Sequence, residues 1–122
     1  MGKFAPNDTI DAMLDEIATC TRLDVTSDSS TPTDLTNTLA NVTLTAGDGN
    51  GDYTIGDGDS SGRKLAVAEQ ADVSITGSGD ARHIVLSLSS TIKYVTTCTQ
   101  QTLTSGGTVT VPTFDIEVAD PS

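Results

Sequence analysis

The sequence predicts a mainly β fold, a jelly-roll-like or β-sandwich single domain that carries a short N-terminal α-helix. Three observations lead there. Apolar and polar residues alternate in about eight short runs, with turn signals roughly every ten residues, the spacing of sandwiches, jelly rolls and small barrels. Ser and Thr make up about a quarter of the residues, and the β-branch of Thr packs well on a pleated surface. Helical periodicity, in contrast, is clear only once, near the N-terminus.

There Ile10, Met13, Leu14, Ile17 and Ala18 recur at the spacing of one helix face, which predicts a helix over about residues 8–18. Asn7 or Asp8 is positioned to cap it, and Asp8 and Asp11 lie toward the positive end of its dipole. After Cys20 the alternation of residues 21–26 predicts a strand. Residues 27–34 have the Ser, Asp, Thr and Pro composition of a loop. A helical turn is expected around residues 34–40, followed by a strand at Val42 and Leu44. Gly47 to Gly62 is rich in Gly and Asp and is expected to be mostly loop.

Beyond it, strands are predicted at residues 64–68, 72–76, 81–88, 92–99 and 108–111. Turns at residues 77–80, Ser89-Ser90 and residues 105–107 separate several of them. Pro112 interrupts the ladder, because proline has no N–H to donate. Phe114, Ile116 and Val118 then alternate in a last strand, with Phe114 and Ile116 expected in the core. No internal repeat is apparent.

The chain has 122 residues, the length of one domain of roughly 100–150 residues. Residues 1–20 read as an N-terminal segment with the helix, and residues 21–122 as the β domain, the two forming one structural unit. There is no Trp and aromatic residues are 3%, so the core rests on Val, Ile, Leu and Ala. Small, lean cores commonly gain stability by oligomerising, and a homo-oligomer, dimer or trimer, is expected.

The net charge is −11, with six Lys and Arg scattered along the chain. Nucleic-acid binding relies on clustered basic residues that displace counterions from phosphates, so neither nucleic acid nor an anionic membrane is expected as a partner. No apolar run approaches the roughly 20 residues of a membrane helix. The start of the chain lacks the apolar stretch of a secretory signal, so a product made in the cytoplasm is expected. Cys20 and Cys98 form no CxxC pattern; pairing is open to them, but a cytosolic origin favours two free thiols.

The sharpest motif runs from Asp48 to Asp59. Calcium loops of the EF-hand type place oxygen ligands at positions one, three and five, a backbone carbonyl at seven and an acid at twelve. Those positions hold Asp48, Asn50, Asp52, Thr54 and Asp59, a candidate calcium site. Position six is Tyr53, where the motif uses Gly, and no clear helix flanks the loop. The alternative is a solvated Asp-Gly turn, since these are natural turn residues. No other cofactor is expected.

His83 is the sole histidine. It reads as a half-buried strand residue on the same face as Val85. Arg63 and Lys64, the one adjacent basic pair, read as opening a strand and pairing with Asp57, Asp59 or another subunit. No Gly-x-Ser-x-Gly elbow and no Walker spacing is present, and an enzyme is not expected.

Three stretches resemble a known class. The run Asp52 to Leu65, the run Gly77 to Leu86 and the ending Val111 to Val118 are similar to segments of small structural proteins of tailed-bacteriophage virions. The helix, strand and Thr-rich loop at the start are similar as well. The resemblance implies a β-sandwich or jelly-roll subunit present in many copies, of the capsid decoration or cement type, with no catalytic residues. It implies a location in the virion and, as partners, the major capsid protein or other virion proteins. A tail or head–tail connector component is one alternative, and a calcium-dependent adhesion or carbohydrate-binding module is another.

Overall fold

A computed structural model describes residues 6–59 and 62–118. The fold class is the predicted one, mainly β with antiparallel sheets and one short helix. The chain gathers into two compact units. The first takes in Met1–Thr19, Thr45–Glu69 and Thr113–Ser122, and the second Cys20–Leu44 and Gln70–Pro112.

The first unit holds helix α1 (Asn7–Ile17) and three strands. Pro6, rather than Asn7 or Asp8, stands at the N-cap; no side chain caps the helix, and the Pro6 carbonyl accepts the N–H groups of Thr9 and Ile10. The amphipathic pattern is realised with Ile10 and Leu14 buried, whereas Met13 is exposed. The strands are β3 (Tyr53–Asp57), β4 (Arg63–Val67) and β9 (Phe114–Val118), in the order β3-β4-β9. Leu65 lies between Ile55 and Ile116, and Val67 between Tyr53 and Phe114. Side chains alternate between faces along a strand, so these residues share the face that carries the core. Tyr53, Leu65 and Val67 are fully buried there.

The second unit is built on a four-stranded sheet in the order β2-β1-β6-β7. Its strands are β1 (Arg22–Thr26), β2 (Thr38–Thr43), β6 (Gly79–Leu88) and β7 (Thr91–Leu103). A two-stranded sheet pairs β5 (Gln70–Ser74) with β8 (Thr108–Val111). Segment 75–77 ties back to β2: Ile75 bridges Ala40, and the N–H groups of Thr76 and Gly77 donate to the Leu39 carbonyl. Leu23 and Val25 of the central strand β1 face Leu86 and Ile84 of β6, and all four are buried. Ser89 and Ser90 close the β6–β7 hairpin with φ of 48° and 69°. This is the left-handed conformation that matches strand twist in a two-residue turn, here adopted without glycine.

Besides the helix cap, three expectations are corrected. The stretch from Gly47 to Gly62 is mostly loop, as expected, but it also holds β3, a strand not expected there. No helical turn forms around residues 34–40; β2 begins at Thr38, because a Thr-rich segment gains more from a ladder than from a helix. Ile116 is buried, but Phe114, on the same face near the end of β9, is only half-buried.

Candidate functional site

The predicted calcium residues are dispersed over distinct tasks. Asp48 accepts the N–H of Ile55 through Oδ1 at 2.8 Å, and Asp52 accepts the N–H of Thr45 through Oδ2 at 2.6 Å. The Asn50 side chain donates to the Ala46 carbonyl at 2.9 Å. Thr54 sits within β3 opposite Ala66. Asp59 accepts from Lys64 Nζ at 2.8 Å. The glycines serve the turn: Gly47, Gly49 and Gly51 have φ of 101°, 82° and 108°. At Gly47 a Cβ would lie 2.5 Å from Asn50 Nδ2, so the loop is wound tightly on its own polar groups. Among the described residues, no three His, Cys, Asp or Glu side chains are grouped to hold a metal ion.

The carboxylates thus replace backbone partners that the turn lacks, as Asx turns do. The thermal midpoint is therefore expected to be the same in excess calcium and in chelator. A midpoint raised by calcium would show instead that the loop closes on the ion.

The basic pair forms an ion-pair ladder across sheet β3-β4-β9. Arg63 donates to Asp11 of α1 at 2.8 Å and to Asp57 at 2.7 Å. Lys64, pointing to the opposite face, reaches Asp59 and, at 3.5 Å, Asp115. Asp11 chiefly, with Asp57, holds the Arg63 guanidinium above its ordinary pKa. Asp59 chiefly raises Lys64, and Lys64 in turn lowers Asp59. Asp57 and Asp59 are mostly exposed, and exposed pairs contribute only about 0–1 kcal/mol. Their effect is to fix the helix and the hairpin in register.

The feature most open to a partner lies in the second unit. Strand β7, at 13 residues, has β6 as its one neighbour in the sheet, which leaves the backbone groups of its other edge without a strand partner among the described residues. Ile92, Lys93, Tyr94, Val95 and Thr96 are all half-buried, and no residue of β7 before Leu103 is fully buried. The pairing with β6 is continuous from Tyr94 to Thr97 and is interrupted on both sides, where Lys93 and residues 98–100 bulge out of register.

In comparisons with protein-family models, curated proteins and solved structures, nothing matches this chain. The functional reading therefore rests on the residues themselves.

A sequence signal for the β7 edge exists in the charge distribution. Residues 81–114 contain no Asp or Glu and carry Arg82 and Lys93, so all 17 acidic residues lie elsewhere. So long a run without carboxylates is conspicuous in so acidic a chain, although Asp80, just outside it, accepts from Gln100 and Thr102 of β7.

The other face of the four-stranded sheet is buried and polar. Asp24, Thr26, His83 and Ser87 are all buried. His83 lies opposite Thr26, on the face of Val85 as expected, with Nδ1 3.0 Å from the Asp28 carbonyl. Asp24 accepts from Arg22 Nε and Nη2, each at 2.7 Å, and from Thr38 Oγ1 at 2.6 Å. Neither cysteine is in a disulfide; Cys20 is buried, and partial burial raises the Cys98 pKa. No described helix is long and apolar enough to cross a membrane.

Proposed function

We propose that the chain is a structural protein of a tailed-bacteriophage virion, and within the particle a capsid decoration or cement subunit that works by binding other coat proteins. The observation that carries the protein-binding part is the edge of β7, a strand with no Asp or Glu of its own and no second strand neighbour among the described residues, on a mainly β scaffold. An edge of this kind offers a row of backbone donors and acceptors to an added strand, and the flanking side chains select which strand is accepted.

The virion part is supported by the sequence resemblance, whose segments fall on regular structure. Asp52 to Leu65 takes in all of β3 and the first three residues of β4, Gly77 to Leu86 covers most of β6, and Val111 to Val118 includes all of β9. A cement subunit that binds only the assembled shell stabilises that state by mass action, with no chemistry of its own. The net charge of −11 would discourage it from binding packaged DNA instead.

The test is copy number in purified particles, by quantitative mass spectrometry against the major capsid protein. A ratio near a simple fraction of the capsid subunits is expected. A few copies per particle would transfer the chain to the tail or connector, and absence from particles would refute a virion role.

A further inference from the structure

We propose that the outer edge of β7 is a self-association site, on which a second copy of this chain adds its own β7 antiparallel across a two-fold axis. The contact is a property of the free protein and does not depend on the virion reading; it occupies the edge that a coat-protein strand would take, so the two occupants exclude one another.

Charge decides where two such chains can meet. Each copy carries −11, so an interface lined with carboxylates would oppose association. The edge strands β3 and β9 carry Asp57, Asp115 and Glu117, and β5 carries Asp72. Strand β2 has no charge, but segment 75–77 is hydrogen-bonded to it, and β8 is only four residues long. Strand β7 combines length with a single charged residue, Lys93.

Packing points to the same strand. Tyr94 sits opposite Leu86, and Val95 opposite Val85. Adjacent residues project to opposite faces, so half-buried apolar side chains flank the edge on both sides of the sheet. A strand laid against that edge supplies the cross-strand neighbours that each of them lacks. The occupant that fits without any further surface is β7 itself: an isologous contact is self-complementary and closes with two subunits.

The bulges define its extent. Between them the register is unbroken over Tyr94–Thr97, with separate paired runs at residues 91–92 and 101–103 beyond, and bulges are a usual means of stopping open-ended growth at an edge. The interface is small, below the roughly 1,200 Å² of a standard stable complex, so the dimer is expected to be reversible.

Sedimentation velocity of the intact protein over a roughly hundredfold concentration range reads this directly, since a reversible dimer dissociates on dilution. A monomer–dimer equilibrium is expected. Thr97 is exposed and stands at the end of this pairing, opposite Tyr94 of the second copy, so Thr97→Glu sets a carboxylate against each Tyr94 ring, adds two negative charges to the interface and should weaken the dimer at least about tenfold. Thr110→Glu, exposed on β8, should leave it unchanged. In the unmodified protein, hydrogen exchange at the amides of residues 94–97 should slow as concentration rises, a readout that needs no variant to fold. A monomer throughout the range would overturn the proposal. So would a dimer that Thr97→Glu leaves intact, or oligomers that grow beyond two, which would mean head-to-tail contact.

Discussion

Tyr53→Ala is expected to destabilise the protein by about 3–5 kcal/mol, the range for removing a large aromatic side chain from a core. Tyr53 is the largest fully buried side chain of the described residues, with 0% exposure, in a chain with no Trp and only two Phe and two Tyr. It opens β3 opposite Val67, and its carbonyl accepts the N–H of Gly49 at 2.8 Å. One residue therefore anchors the Gly/Asp loop to the core of the first unit. Tyr53→Phe, which keeps the ring, should retain most of the stability. Urea denaturation compares the two: a midpoint for Tyr53→Ala equal to that of the unmodified protein would show that the ring contributes nothing to packing.

That same residue shows where the sequence could be read and where it could not. Tyr53 stands at the sixth position of an apparent calcium loop, and there it looks like a flaw in a motif. In the structure it is the point of the segment. The surrounding Asp, Asn and Gly signal a turn correctly, but they mask five strand residues, because Gly56 and Asp57 are poor strand formers held in place by pairing with Lys64 and Arg63. Tertiary pairing overrides local propensity at such positions.

Elements with strong periodicity were legible: α1, β1, and the strands from β4 onward emerge close to their predicted bounds. The start of β2 was not, since Thr38, Leu39 and Ala40 show no alternation; Leu39 and Ala40 are buried consecutively, which a period-two pattern does not reveal. Strand β6 also has five consecutive buried residues, from His83 to Ser87, but the alternation of Ile84, Leu86 and Leu88 with polar neighbours at its ends marks it in the sequence. Alternation predicts a strand with one wet face, and strands covered on both sides escape it. Phe114 illustrates the opposite error, because sharing a face with Ile116 does not ensure equal cover at the end of a strand.

The candidate interaction edge was legible only in part. The run from Ile92 to Thr99 reads as a strand, but its place at the edge depends on strand order, which alternation does not encode. The missing carboxylates of residues 81–114 are visible in the sequence once positions are counted, and they become meaningful only when β7 is known to lack a second neighbour. Similarly, Arg63 and Lys64 were correctly matched to Asp57 and Asp59, whereas Asp11 as the partner of Arg63 requires knowing that α1 lies beside β4.

The buried charge in the second unit gives the other large expected effect, and a sharper one. Arg22→Ala should cost about 3 kcal/mol, near the lower end for breaking a buried ion pair by removing one partner. The reason is asymmetry. The Asp24 side chain is 0% exposed, while that of Arg22 is 42% exposed. Removing Asp24 would leave a guanidinium that water can reach. Removing Arg22 leaves a carboxylate inside the sheet with Thr38 Oγ1 as its remaining side-chain donor, and a buried charge without its counterion is costly. The two residues are i and i+2 on β1, so they stand on one face of the central strand, and the fork geometry of the guanidinium matches both carboxylate oxygens. Replacing both together, Arg22→Leu with Asp24→Val, removes the charge along with its partner and should recover much of the loss, since apolar side chains of suitable volume commonly substitute for a buried pair. A double-mutant cycle by urea denaturation measures this coupling. Additive losses from Arg22→Leu and Asp24→Val would mean that the pair acts as an exposed contact, and that the polar face of this sheet is held by packing alone.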